Sequence, residues 1–278
     1  MAIGRRFGRE LLLDPALGPG ERLYARLFGV PVLGLRVRAH YLVPEIDALA
    51  RRIRPRKVAD AGSGRGLLTA HLARAFPEAE VVGFDVDARQ VERDNAMVRA
   101  AGLANCRFEV RDVTRLEIDE ELDLILSTDN LEHLEDDRGQ CRIFHRALRP
   151  GGWLLVHVPH RTRNLFGWRR ENFMEIEGHV RPGYTRGGLT ALLEQAGFEV
   201  AHTAYSYNSI ETLANDLSFL VTGGREKRKL LYALVFPFLL GLAHLGADLG
   251  GRGHPKEGSG LLALARRPKR PEPPGGEP

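Results

Sequence analysis

The stretch Val58-Ala59-Asp60-Ala61-Gly62-Ser63-Gly64-Arg65-Gly66 decides the fold of this chain. Apolar residues at its start predict a short buried strand, and three glycines at alternate positions predict a sharp turn into a helix. Glycines at such a turn let the backbone bend tightly and let a ligand approach the main chain closely. The segment therefore predicts the first strand and the ligand-binding loop of an open α/β sheet.

An alternation of strands and helices continues outward from this turn. Short apolar runs are separated by segments of helical length, which is typical of parallel strands joined by right-handed crossovers. Turn residues agree, since Asp87 can begin a helix that Gly102 ends, and Pro150-Gly151-Gly152 can stop another. Strands are predicted at 57–61, 80–84, 106–111, 122–127, 152–158, 198–205 and 260–266, and helices at 88–101, at 138–148 and after Thr185.

The composition is that of a folded protein with one large domain. The chain has 278 residues, of which 43% are hydrophobic and 27% charged. Its net charge of +4 is too small to indicate a nucleic-acid partner. Cys106 and Cys141 show no metal-like pairing, and Leu11-Leu12-Leu13 is too short for a secretory signal core. We therefore expect a reducing, cytoplasmic environment.

Acidic residues follow the first three predicted strands. Asp60 can accept from a cationic amino group, while the amides at the start of the next helix can meet a carboxylate. Asp85 lies 19 residues beyond Gly66, where a carboxylate can accept two ribose hydroxyls. Asp112 can accept from an exocyclic amine, and Val113 can flank a base. These residues predict a site for a compound with an amino-acid end and an adenosine.

Five motifs occur in order along the chain: D-A-G-S-G-R-G at 60–66, G-F-D at 83–85, R-D-V at 111–113, L-D-L-I-L-S-T-D-N-L-E-H-L at 122–134 and L-R-P-G-G at 148–152. With this order and spacing the chain resembles the class I S-adenosylmethionine-dependent methyltransferases. Within them it most resembles the type 11 and ubiquinone-biosynthesis O-methyltransferase-like groups. The resemblance covers roughly residues 57–205 and the last strand. It implies an α/β fold with a Rossmann-like, seven-stranded, mostly parallel sheet, helices on both faces and an apolar helical insertion before the last strand.

The resemblance also implies the chemistry. S-adenosylmethionine is the expected cofactor, and its methyl group is transferred by in-line displacement to a small or lipid-linked acceptor, with oxygen as the preferred acceptor atom. Asp60, Gly62 and Gly64 would surround the methionine part, and Asp129 would form the pocket floor near the sulfonium. The complete set of expected cofactor-binding residues is Asp60, Gly62, Ser63, Gly64, Gly66, Asp85, Val86, Asp112, Val113 and Asp129.

Two other classes of protein remain open from the sequence. A dinucleotide oxidoreductase is disfavoured, because Leu67 stands where the dinucleotide fingerprint needs a third glycine or alanine. A membrane-associated binding protein that keeps the fold without turnover is the other alternative. Intact Asp60, Gly62, Gly64 and Asp85 argue against it. No metal is expected, because the sequence has no evident cluster of metal ligands.

Three histidines are candidate acid-base or acceptor-positioning residues. His160 follows the fifth predicted strand, whose end should line the ligand crevice, and His179 lies in the next loop. His133 belongs to the motif at 122–134, although a histidine there is often only a packing residue. The alternative for His160 and His179 is a structural role in orienting the active-site loops. His157 is interpreted as an ordinary strand residue.

The chain is expected to divide into four regions. These are a helical lead-in and lid at 1–56, the core at 57–206 with 260–266, an apolar helical insertion at 207–259 and a disordered tail at 267–278. Within the lead-in, residues 1–20 are expected to be loosely ordered, with helices at 21–29 and 41–53.

The insertion contains 18 residues without a formal charge, at 230–247, after a basic run at 225–229. This length is at the lower limit of a membrane span, but a single crossing would leave the last strand on the wrong side of the bilayer. Pro237 predicts two half-helices or a kinked hairpin. We expect residues 225–249 to contact an anionic inner membrane surface or to cover the acceptor pocket; a buried cap or a dimer face is the alternative. The arginines at 161, 163, 169 and 170, interleaved with Phe166 and Trp168, are interpreted as solvated loop charge; contact with anionic lipid or with a charged acceptor is the alternative.

Overall fold

The computed structural model describes residues 7–171, 178–222, 229–250 and 253–269. Nine strands are described: β1 Lys57–Ala61, β2 Glu80–Asp85, β3 Cys106–Val110, β4 Leu122–Thr128, β5 Leu148–Pro159, β6 Thr162–Leu165, β7 Trp168–Glu171, β8 Glu199–Ser206 and β9 Gly260–Arg266. Seven of them form one sheet in the order β3-β2-β1-β4-β5-β9-β8, in which β9 alone runs antiparallel to its neighbours. The predicted fold class is confirmed.

The helices cover both faces of this sheet. They are α1 Pro19–Phe28, α2 Leu33–Arg52, α3 Leu67–Ala75, α4 Ala88–Ala100, α5 Asp137–Ala147, α6 Arg186–Gln195, α7 Ser209–Thr222 and α8 Lys229–Gly250. Side chains alternate across each strand, so Val58 faces a core with α2, α3 and α4, while Ala59 faces a core with α5 and α6. The two cores fix the sheet between two helical layers.

A third apolar cluster forms a cap beside the sheet. It joins Leu33 and Val37 of α2 to Phe236 and Leu239 of α8, with Ala214 of α7 between them. Helices α7 and α8 are the apolar insertion predicted before the last strand. We call α1, α2, α7 and α8 together the cap.

The structure corrects the expectation that α8 breaks at Pro237, since one helix continues through it. A proline cannot donate to the carbonyl four residues earlier, here that of Ala233. The hydroxyl of Tyr24 donates to this oxygen instead, at 2.7 Å. A side chain from α1 thus replaces the backbone hydrogen bond that Pro237 removes.

Other boundaries also differ from prediction. From Phe7 onward the start is not loosely ordered, because Arg9–Leu13 forms a 3₁₀ turn that buries Leu11, and Phe7 itself is buried. The tail begins in an ordered form, since Arg267 pairs with the backbone of Gly151 and Gly152. The hairpin β6–β7 was not predicted, α2 starts at Leu33 rather than 41, and β5 begins at Leu148 rather than 152. Residues 1–6, 223–228 and 270–278, which carry parts of the lead-in, basic-run and tail predictions, lie outside the described residues.

Candidate active site

The glycine loop joins β1 to α3 at the carboxyl edge of the sheet. Gly62, Gly64 and Gly66 all have positive φ, of 82°, 53° and 66°. A Cβ on Gly66 would lie 2.6 Å from the ring of Phe108, so this position requires glycine for space as well as for conformation. The loop therefore keeps its backbone close to the end of β2.

The carboxylate of Asp85 is already oriented by this loop. Its Oδ2 accepts from the backbone N–H of Gly64 at 2.8 Å, and its Oδ1 accepts from that of Asp87 at 3.0 Å. Each oxygen keeps a further lone pair. The arrangement leaves a fixed, partly exposed carboxylate that can accept hydroxyl groups from a ligand.

Asp60 is buried at the end of β1. It accepts a hydrogen bond from the Thr69 hydroxyl at 2.6 Å. Burial raises the pKa of Asp60 to about 7, and the nearby Asp85 adds to the increase. A cationic group in the crevice would favour the ionised carboxylate, which suits the ammonium of an amino-acid ligand.

Several buried polar atoms around the ends of β1 and β4 have no hydrogen-bond partner among the described residues. Buried polar groups in folded proteins are usually paired, so unpaired ones at a strand edge indicate a polar ligand. They fit a ligand with an amino-acid part and a sugar. These atoms are Ser63 Oγ, Ser127 Oγ, Thr128 Oγ1 and Asn130 Nδ2.

The residues expected near the adenine and the ribose differ from one another in exposure and in hydrogen bonding. Asp112 is exposed and caps the following 3₁₀ turn, accepting from the hydroxyl and the N–H of Thr114 at 2.6 and 2.9 Å. These hydrogen bonds lower the pKa of Asp112. Val113 is buried and Val86 is exposed. Asp112 thus caps the loop after β3, and its contact with an adenine stays a prediction.

A cavity of about 490 Å³ adjoins the end of β4. Asp129, which has φ 46°, lies in its wall and forms an ion pair with Arg38 of α2. Its other oxygen is 2.6 Å from His157 Nδ1. Burial lowers the pKa of His157 to about 3, so the neutral ring donates to Asp129 and its Nε2 accepts from Ser206 at 2.8 Å. His157 is therefore fully occupied and holds Asp129 in place.

The structure brings together two of the three candidate histidines. His133 and His179 line the cavity, and their rings meet edge to face with centroids 4.5 Å apart. Burial and the neighbouring His133 lower the pKa of His179. His160 lines a separate cavity of about 160 Å³, where its Nδ1 lies 2.6 Å from the carbonyl oxygen of Thr162. This position favours the loop-orienting alternative for His160.

Sequence reasoning missed Arg38 as a cationic side chain of the cavity, and it treated Arg163 only as one of several loop arginines. Arg38 comes from the cap, and Arg163 of β6 forms an ion pair with Asp216 of α7. No motif marks either arginine, because the partner of each lies on a distant element. The apolar wall, by contrast, includes Val32 and Phe219 from the cap.

The strand order and the glycine loop match a known architecture. A sheet of this order, with one antiparallel strand next to its edge and acidic residues at the ends of β1 and β2, has the architecture of the class I methyltransferases. Residues 58–152 match the family model described as a methyltransferase domain.

Three known proteins illustrate the similarity. The trans-aconitate 2-methyltransferase of Deinococcus radiodurans is 34% identical over 149 residues, covering 52% of this chain and 55% of that protein. The malonyl-[acyl-carrier protein] O-methyltransferase 1 of Coxiella burnetii is 28% identical, covering 74% of this chain and 68% of that protein. The structure of coclaurine N-methyltransferase bound to N-methylheliamine and S-adenosylhomocysteine superimposes with a TM-score of 0.56 at 17% identity, over 81% of this chain and 71% of that one. The chain thus spans about half the length of the Deinococcus relative.

Residues 58–152 are therefore similar to a methyltransferase domain, and the relatives that match are named methyltransferases. Membership of the ubiquinone-biosynthesis O-methyltransferase-like group stays a prediction.

Proposed function

We propose that the protein transfers the methyl group of S-adenosylmethionine to an oxygen of a small or lipid-linked acceptor bound in the 490 Å³ cavity. One observation carries this proposal. Asp129 lines the cavity, while its neighbour Asn130 lies against Gly62, where an added Cβ would be 3.3 Å from the Asn130 side chain. The end of β4 therefore lies between the cofactor loop and the cavity, so an acceptor in the cavity would be next to the bound cofactor.

The chain's own residues would supply alignment and charge. S-adenosylmethionine carries an electrophilic methyl group when bound, so the acceptor needs only approach in line and lose its proton. Asp60 and Asp85 would hold the ends of the cofactor. His133 and His179 lie where they can position the acceptor or take up its proton. The paired Arg38 and Asp129 would close the cavity against water.

The character of the cavity supports an amphiphilic acceptor. Cap residues such as Val32, Leu33 and Phe219 form an apolar wall opposite the polar groups of β4 and β5. An acceptor with a polar reactive end and a hydrophobic body would match both walls. The Coxiella relative is named an O-methyltransferase, which supports oxygen as the acceptor atom, whereas the coclaurine enzyme is named an N-methyltransferase. Carbon and nitrogen are the alternatives that product analysis must separate.

A contact with an anionic cytoplasmic membrane surface is the second part of the proposal. Among the described residues, one helix, Leu230–Gly250, is long and apolar enough to cross a membrane by length and composition. Leu234, Phe238, Leu245 and Leu249 form one solvent-facing stripe along it, with exposures of 64%, 78%, 50% and 69%. Insertion of such a side chain into lipid contributes up to about 1.5–3 kcal/mol.

The packing of α8 favours a helix lying in the interface over one that spans. Its other face buries Phe236 and receives hydrogen bonds from Tyr24 and Asn208. A spanning orientation would remove these contacts and would separate α8 from β9, which lies between β5 and β8. The lysines and arginines at 225–229 in the sequence would add about 1 kcal/mol each near anionic headgroups. The alternative is that a second copy of the chain covers this stripe in a dimer.

Calorimetric titration tests cofactor binding. We expect the purified chain to bind S-adenosylmethionine and S-adenosylhomocysteine but not NAD. Asp85→Ala should weaken binding more than tenfold, because it removes the carboxylate held by Gly64 and Asp87. Asp119→Ala, at an exposed ion pair with Arg146, is the matched control. A folded protein that ignores both compounds at millimolar concentration would refute the proposal, and binding without turnover would favour the non-catalytic alternative.

Flotation with liposomes tests the membrane contact. Phe238→Ser with Leu245→Ser should reduce flotation with phosphatidylglycerol vesicles, while Val110→Ser, at an exposed apolar residue of the sheet edge, should not. Equal flotation of all three proteins would eliminate the membrane contact. A change in oligomeric state in the double variant would instead support a dimer face.

A further inference from the structure

Three potential metal ligands meet at one side of the acceptor cavity. The donor atoms of Glu132, His133 and His179 all lie within 4.8 Å of one another. This group was not predicted from the sequence, because His179 is 46 residues beyond His133. All three residues line the cavity.

The backbone builds this cluster. The N–H of Val180 donates to the carbonyl oxygen of Glu132 at 3.0 Å, which places His179 beside the 3₁₀ turn Leu131–His133. Arg181 anchors the same loop through Asp137 and through the carbonyl oxygens of Leu134 and Glu135. Hydrogen bonds to the main chain therefore bring the two histidines together, so their proximity does not rest on side-chain rotamers alone.

Glycine at 178 allows the close approach of the loop. Gly178 has φ 89°, and a Cβ there would lie 3.2 Å from His133 Nδ1. A larger residue would be strained and would press on the imidazole ring. The backbone of the loop thus comes close to the His133 ring, and His179 is the next residue along the chain.

The buried carboxyl of Glu132 supplies an independent sign of a missing partner. Glu132 is 1% exposed, and its Oε2 has no hydrogen-bond partner among the described residues. An unpaired buried carboxyl oxygen is costly, and the nearby cations Arg38 and Arg181 already pair with Asp129 and Asp137. A cation between Glu132 and the two imidazoles would satisfy it.

We propose that Glu132, His133 and His179 bind a divalent transition-metal ion of the zinc type. Two imidazoles and one carboxylate are a donor set that zinc uses with an open fourth position. Ligand atoms around tetrahedral zinc are separated by about 3.3 Å for bonds of about 2.0 Å, so small side-chain rotations would close the present spacing. The open position faces the cavity and would take an oxygen of the acceptor; this last step alone rests on the proposed function.

Cobalt(II) is the probe, because a tetrahedral Co²⁺ site absorbs visible light. The untagged chain, treated with a chelator and desalted, is titrated with Co²⁺ and then with Zn²⁺ as competitor. We expect one Co²⁺ per chain and loss of its colour on displacement by Zn²⁺. His133→Ala and His179→Ala should each weaken Co²⁺ binding at least tenfold, and Glu132→Gln should also weaken it. His145→Ala, a histidine of α5 that packs edge-on against Phe198, should leave it unchanged.

The outcomes separate this site from the methyltransferase proposal. Folding of each variant is checked by circular dichroism and thermal melting. Wild-type protein that binds no stoichiometric Co²⁺, or equal binding in the His145, His133 and His179 variants, would overturn the metal site. S-adenosylmethionine is titrated in parallel into the chelated protein, because the cofactor crevice contains none of the three ligands. Loss of cofactor binding would count against the proposed function and not against the metal.

Discussion

The cofactor crevice and the cap are built in opposite ways. In the crevice, neighbouring turns at one edge of the sheet orient each other, as where the amide of Gly64 holds Asp85, 21 residues away. In the cap, hydrogen bonds join residues that are far apart in sequence. Tyr24 reaches Ala233 across 209 positions, and Tyr41 reaches Glu211 across 170. Short motifs thus specify the glycine-loop crevice, whereas the cavity proposed for the acceptor also depends on contacts between distant parts of the chain.

Substitution of Gly66 should have the largest effect on the free energy of unfolding, and it tests how little space the glycine loop leaves for a side chain. Gly66→Ala should lower the free energy of unfolding by about 2–5 kcal/mol, because its Cβ meets Phe108 and its φ is positive. Gly64→Ala is the matched control, since its φ is also positive but nothing lies within 4 Å of its Cβ. It should cost only the backbone strain, about 1–3 kcal/mol. Urea unfolding curves measure both, and equal losses would show that space around Gly66 is not limiting.

The same contrast explains what could be predicted from the sequence. Lys57–Ala61 was predicted at its observed bounds, because its apolar run and the glycine loop are local signals. Arg38, His179 and Arg163 meet in one cavity only after three separate elements pack together. The continuous α8 was missed for the same reason, because Tyr24, which compensates for Pro237, lies in another helix.

The pH dependence of cofactor affinity sharpens the role of the buried Asp60. Its pKa is about 7, raised by burial, and a cationic ligand group prefers its ionised form. S-adenosylmethionine should therefore bind about tenfold more weakly at pH 6 than at pH 8, because a proton must leave Asp60 on binding. Calorimetry at both values measures this change. Asp60→Asn should bind weakly and lose this component of the pH dependence, leaving only the titration of the ligand itself.

The stability of the ligand-free protein should fall with rising pH, whereas the cofactor affinity should increase. The pKa of Asp60 is raised above its unfolded value of about 3.9, so the folded state keeps a proton that the unfolded state has lost. Its contribution to stability therefore falls as the pH rises from about 4 to 7, and it stays lost above that range. At pH 8, Asp60→Asn should melt no lower than the wild type. A variant that melts well below the wild type there would contradict the burial penalty.

The substitution with the smallest expected effect tests how the cap accommodates Pro237. Tyr24→Phe should cost about 1–2 kcal/mol, because it leaves the carbonyl oxygen of Ala233 without the hydroxyl donor. In a Pro237→Ala background the restored backbone N–H can donate to that oxygen, so the same substitution should cost less. A double-mutant cycle of unfolding free energies measures the difference as a coupling energy. Additive effects would mean that Tyr24 stabilises the cap by packing alone, and that α8 tolerates its proline without a donor from α1.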